Sequence, residues 1–67
     1  MTKLDINNAI KQHLEGKLAY HKANLLVFID NPVGVAEHGD FMETMEEQLS
    51  KIAHYEDMLG ALERLEL

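Results

Sequence analysis

The sequence lacks cysteine altogether among its 67 residues. A disulfide framework and a metal cluster with thiolate ligands are therefore excluded, although both are common ways to stabilise a small domain. Long apolar runs are absent too, since the longest, Leu25 to Ile29, has five residues. A membrane-spanning helix needs roughly 20 apolar residues, so we expect no span within this sequence.

Positive charge is scarce, because 6 Lys and Arg stand against 12 Asp and Glu for a net charge of -6. Binding to phosphates or to an anionic membrane surface needs an excess of cations, so we expect neither nucleic acid nor a membrane as partner. The first residues, Met1 to Ile6, lack the basic-then-apolar order of a signal peptide. With 46% hydrophobic residues, the composition predicts a soluble, intracellular, globular chain.

Helix-breaking residues are concentrated in residues 30–40, which hold the one proline and two of the four glycines. Pro32 disfavours helical geometry in the residue before it, so the first helix should stop near Asp30. We therefore predict a single domain over residues 1–67. It consists of a helix over about 3–30, a loop over about 31–39 and a helix over about 40–66.

Capping residues support these helix starts. Asp40 is expected to cap the second helix, with Glu43 three residues later at the capping-box position. Thr2 and Asp5 form a weaker box of the same kind before the first helix.

The apolar spacing on both sides of the loop has the 3.5-residue period of helices packed side by side. Folding the chain back about residue 35 pairs positions whose numbers sum to 70, which brings the two apolar rows into register. The fold class predicted is all-α, an antiparallel αα-hairpin. Residues 24–29 would also suit a buried strand, but no other segment offers a pairing strand. The predicted layers are Phe28 with Met42, Leu25 with Met45, His21 with Leu49 and Leu18 with Ile52, continued by Leu14, Glu56 and Leu59.

A hairpin this small needs further support, because a core below about 70–80 residues seldom stabilises a chain alone. Each predicted helix carries a second apolar row outside the seam, which a second copy would cover in a four-helix bundle. We therefore predict a homodimer whose interface contains Tyr20, Ala23, Val27, Met58, Ala61 and Leu65. Gly16 and Gly60 mark either close approach of another helix or exposed turns that tolerate glycine.

The histidines are the first candidates for chemistry. His21 lies in the predicted seam and is expected to be a core residue bonded to a neighbour. His13 and His54 fall at similar heights on opposite helices, and with Asp57 or Glu56 they would supply three ligands of a zinc site. No Glu-x-x-His spacing places two ligands on one helix face, so a metal-binding bundle is the alternative interpretation.

The loop residues Glu37 and His38, followed by Asp40, are possible acid–base groups. No nucleophile or phosphate-binding glycine run accompanies them, and capping of the second helix explains them as well. We therefore predict no catalytic site and no cofactor.

The loop and second helix carry a recognisable pattern: Asn31-Pro32-Val33-Gly34, Glu37-His38, Asp40, Ile52, Tyr55-Glu56-Asp57, Leu59 and Leu62, with Tyr20-His21 of the first helix. This pattern resembles small helical-hairpin proteins of tailed bacteriophages, particularly those that infect marine cyanobacteria. The group has no established activity, so no residue role is carried over. The resemblance implies a protein made in a bacterial host cytoplasm that is a virion component or binds a host or phage protein.

The sequence thus favours a non-enzymatic hairpin that self-associates and works through protein–protein contact. A third interpretation follows from charge, since residues 40–67 carry eight acids against Lys51 and Arg64. Such an acidic arm would suit an inhibitor that covers a basic surface on a host protein.

Overall fold

The computed structural model describes residues 1–30 and 38–66, except for the side chains of His38 and Gly39. In this part of the chain two helices, α1 (Lys3–Asp30) and α2 (His38–Arg64), pack against each other. The predicted all-α hairpin is confirmed, and residues 24–29 belong to α1 instead of a strand. The predicted turn at Pro32 and the predicted roles of Glu37 and of the His38 side chain lie outside the described residues.

The start of α1 is fixed by the predicted capping box. The backbone N–H of Asp5 donates to Oγ1 of Thr2 at 3.1 Å, and the backbone N–H of Thr2 donates to Oδ2 of Asp5 at 3.2 Å. Two amide groups that the first helical turn leaves without backbone acceptors are thereby paired. This prediction is confirmed because it depends on four consecutive residues and on no tertiary contact.

The boundaries of α2 differ from the prediction by two residues at each end. The helix begins at His38, so Asp40 lies within its first turn and does not precede it as a cap. The carboxylate of Asp40 still complements the positive end of the helix dipole. At the other end, Glu66 has a φ of 54° and its N–H donates to the carbonyl of Glu63 at 3.2 Å. This left-handed turn ends α2 at Arg64.

The seam between the helices confirms the predicted register on α1 and corrects it on α2. Leu14 and His21 are buried, and Leu18, Leu25 and Phe28 are half-buried, as the 3.5-residue period predicts. On α2, however, Met42 and Leu49 are 66% and 50% exposed, and Glu56 is exposed. The half-buried row on α2 is Phe41, Met45, Gln48, Ile52, Tyr55, Leu59 and Leu62.

The corrected row has the same 3.5-residue period and shares Met45, Ile52 and Leu59 with the predicted one. It differs by turning α2 so that Phe41 and Tyr55 face α1. The ring of Phe41 stacks on Phe28 with centroids 4.7 Å apart. This rotation of α2 also keeps Glu56 out of the seam, where desolvating an unpaired carboxylate would cost free energy.

The hairpin is long and thin, with extents of 49 × 16 × 13 Å and a radius of gyration of 15.4 Å. A compact chain of this length has a radius of gyration of about 11 Å. Its accessible surface is 5297 Å², whereas a compact monomer of the same mass exposes about 4,300 Å². In the described part, Leu14 is the one hydrophobic residue that is buried, at 3% exposure. Two helices alone therefore bury little apolar surface.

Candidate functional site

A polar layer crosses the middle of the seam at His21, whose side chain is only 7% exposed. Its Nδ1 lies 3.1 Å from Oε1 of Gln48 on α2. Because the amide oxygen only accepts, the imidazole donates from Nδ1. Across the described residues, no buried side-chain nitrogen or oxygen lacks a hydrogen-bond partner. His21 is thus a core histidine bonded to a neighbour, as predicted.

Aromatic contacts extend this layer across the hairpin. The imidazole of His21 stacks on the ring of Tyr55 with centroids 5.6 Å apart and planes 10° from parallel. Tyr20 and His21 form a T-shaped pair with centroids 5.1 Å apart, and His54 and Tyr55 form another with centroids 5.0 Å apart. We call Tyr20, His21, Tyr55 and His54 the ring cluster. It joins an exposed ring on each helix to the two rings that lie between the helices.

The ring cluster is built to hold the helices in one alignment. A slip by one turn would separate His21 from Gln48 and leave a nearly buried imidazole without its acceptor, which carries a desolvation penalty. Single polar positions in an otherwise apolar seam fix register in this way. The imidazole has one nitrogen bonded and one face covered, so its geometry suits alignment better than capture of a ligand from solvent.

The predicted metal ligands are not brought together. His13, His54, Glu56 and Asp57 are all exposed, and within the described residues no three His, Asp or Glu side chains are placed to hold a metal ion. His54 instead packs against Tyr55, while His13 borders a groove beside Gly16 and Tyr20. The predicted equal height of His13 and His54 on opposite helices does not bring them together, because both histidines lie outside the seam.

A charged groove lies near the ends of the helices away from the loop. It has a volume of about 410 Å³, and its charged lining residues are Lys11, Glu15, Glu63 and Glu66. Its apolar floor comes from Leu59 and Leu62. Charges of both signs therefore line this groove.

The predicted dimer residues all lie on the surface of the hairpin. Tyr20, Val27 and Leu65 are 60%, 62% and 66% exposed, and Met58 is 38% exposed. Ala23 and Ala61 are exposed as well. The hairpin therefore leaves the second apolar row accessible along both helices.

Three seam contacts were not predicted from the sequence: His21 with Gln48, His21 with Tyr55, and Phe28 with Phe41. A usable signal was present, because a histidine between leucines needs a hydrogen-bond partner. Gln48 is one residue from the position predicted to face it and has the required amide.

Comparisons with protein-family models, with curated proteins and with solved structures gave no match. The resemblance to bacteriophage proteins therefore stays a prediction. Neither described helix is long and apolar enough to cross a membrane.

Proposed function

We propose that the protein is a non-enzymatic helical hairpin that self-associates and acts through protein–protein contact. The observation that supports this proposal is the mismatch between core and surface. Leu14 is the one buried hydrophobic residue in the described part, whereas twelve large hydrophobic residues are exposed there. A monomer with such a surface would be marginally stable at best.

Surface area gives the same conclusion in quantitative form. The chain exposes 5297 Å², roughly 1,000 Å² more than a compact monomer of its mass. A stable protein–protein interface buries about 800 Å² on each partner. One interface of ordinary size would therefore bring the exposed area down to the value expected for a compact chain.

The proposed occupant of this surface is a second copy, in an assembly of four helices. A two-fold dimer is the most frequent oligomer and places the same apolar patch on both sides of the interface. The interface would contain Tyr20, Ala23 and Val27 from α1 and Met58, Ala61 and Leu65 from α2, all of which are exposed in the hairpin. Desolvating these side chains supplies the stabilisation that a two-helix core lacks.

The outer face of α2 suits a further, basic partner. Glu43, Glu46 and Glu47 line one shallow surface with Leu49 and Ser50, and a cluster of like charge attracts a complementary surface. In the bacteriophage setting that the resemblance implies, this partner would be a virion or host protein in the bacterial cytoplasm. Binding through this face would weaken as ionic strength rises.

Substitution of interface residues tests the self-association. Tyr20→Asp and Leu65→Asp should each raise the dimer dissociation constant at least about tenfold, because an unpaired carboxylate would be desolvated in the interface. Ser50→Asp is the matched control, since it adds the same charge at an exposed position on α2. Light scattering coupled to size-exclusion chromatography measures the masses. Equal effects of all three changes would mean that charge alone, and not the proposed face, controls association.

A further inference from the structure

A second row of side chains runs along α1 on the side away from the seam. Its members are spaced three and four residues apart, and we call them the outer row: Ile6, Ala9, His13, Gly16, Tyr20, Ala23 and Val27. All seven are exposed in the hairpin. Their period equals that of the seam, so this face of α1 has the spacing needed to pack along another helix.

The outer row is symmetric about Gly16 in the type of side chain. The first residues on either side are the rings of His13 and Tyr20, and the next are Ala9 and Ala23. At the ends stand two β-branched side chains, Ile6 and Val27. A two-fold interface requires that each residue i contact j of the partner while j contacts i. With the axis at Gly16, residues of the same type would face each other across an antiparallel pair of outer rows.

We propose that two copies pair antiparallel through the outer row of α1, about a two-fold axis at Gly16, with the α2 residues of the proposed interface at the edges of this contact. This inference rests on the proposed self-association and names the helix, the orientation and the centre of the contact. In this arrangement Ala9 faces Ala23 of the second copy, and His13 faces Tyr20 of the second copy.

The surroundings of Gly16 support its place on the axis. A Cβ built at Gly16 meets no atom within 4 Å, so packing within the hairpin does not require glycine there. The surface around it is open and is formed by Gln12, His13, Lys17 and Tyr20 of the same helix. Glycine weakens a helix interior relative to alanine, but it lets a second backbone approach closely. A second helix packed along this face would make use of the glycine.

Charge also favours pairing through α1. Between Lys3 and Asp30, four lysines and three acids give α1 a net charge of +1. Between His38 and Arg64, seven acids and two basic residues give α2 a net charge of -5. A contact centred on α2 would bring two strongly acidic helices together, whereas a contact centred on α1 leaves them at its edges.

The neighbouring row of α1, which contains Ile10 and Lys17, is less suited to be the centre of the contact between two copies. Turning the helix toward Ile10 would replace Gly16 at the axis by Lys17. Lys17 would then face Lys17 of the second copy, and like charges in direct contact are repelled. The row through Gly16 avoids this repulsion.

Disulfide cross-linking tests the orientation, since the chain has no cysteine of its own. Gly16→Cys alone should cross-link to itself at least about tenfold faster than Ala53→Cys, an exposed control on α2. A mixture of Ala9→Cys and Ala23→Cys chains should form the mixed dimer. Neither variant should cross-link to itself, because Ala9 of one copy lies about 21 Å along the axis from Ala9 of the other. A disulfide needs Cα atoms within about 7 Å.

The outcomes separate this inference from the proposed self-association. Fast self-cross-linking of Ala9→Cys would show a parallel pair and overturn the inference. If Gly16→Cys cross-links no faster than Ala53→Cys while sedimentation shows a dimer, self-association stands and the outer row is not its centre. If the unmodified chain sediments as a monomer, the proposed self-association and this inference both fail.

Discussion

Leu14→Ala is expected to lower the free energy of unfolding by about 2–5 kcal/mol, the range for deleting a buried leucine side chain. Leu14 is 3% exposed and is the most deeply buried hydrophobic residue in the described part of the chain. Small domains have a total stability of roughly 5–15 kcal/mol, and a chain with so small a core should fall at or below the lower end. We therefore expect a large loss of helical circular dichroism at ambient temperature.

Leu26→Ala is the matched control for this prediction. Leu26 lies on the same helix but is 62% exposed, so its truncation should change the free energy of unfolding by about 0.5 kcal/mol or less. Both variants are to be compared in urea at one protein concentration, because association contributes to apparent stability. Equal destabilisation by the two changes would show that Leu14 is not in the core.

His21→Ala is expected to cost about 2–4 kcal/mol, because it removes a buried ring and the hydrogen bond to Gln48 together. The ring is 7% exposed and stacks on Tyr55. His54→Ala is the control, since His54 is exposed and meets only the edge of Tyr55. We expect a loss of about 0.5 kcal/mol or less for that change. Similar losses for the two histidines would contradict the alignment role given to His21.

A double-mutant cycle isolates the hydrogen bond within this layer. His21→Ala, Gln48→Ala and the double variant should give a coupling energy of about 0.5–1.5 kcal/mol, the net value of one hydrogen bond. A coupling energy of zero would mean that the 3.1 Å contact does not contribute to stability in solution.

Local features of the fold could be predicted from the sequence because few residues decide them. Thr2 and Asp5 form their capping box through contacts three residues apart. The length of α1 follows from its apolar period and the proline beyond Asp30. The start of α2 was predicted two residues too late because Asp40 suits both a cap and the first turn.

The choice of the buried row on α2 could not be predicted from one helix. The row with Met42 and Leu49 and the row with Phe41 and Gln48 have the same period, and each combines apolar with polar residues. What selects the second is tertiary: the stack of Phe28 on Phe41 and the bond between His21 and Gln48. A hydrophobicity pattern does not contain such pairwise preferences.

The candidate site, too, could be predicted from the sequence only in part. His21 was predicted to lie in the seam and to need a partner, but the identity of Gln48 and Tyr55 depends on the rotation of α2. The pairing of His13 and His54 was predicted from height alone. Height ignores the direction of a side chain around the helix, and both histidines are exposed.

The most direct test of the proposed self-association is thermal unfolding of the unmodified chain, followed by circular dichroism over a roughly hundredfold range of protein concentration. If the dimer supports the fold, the midpoint rises with concentration and sedimentation gives twice the 7.6 kDa chain mass. A cooperative transition whose midpoint does not change, together with a 7.6 kDa particle at every concentration, would contradict the proposal.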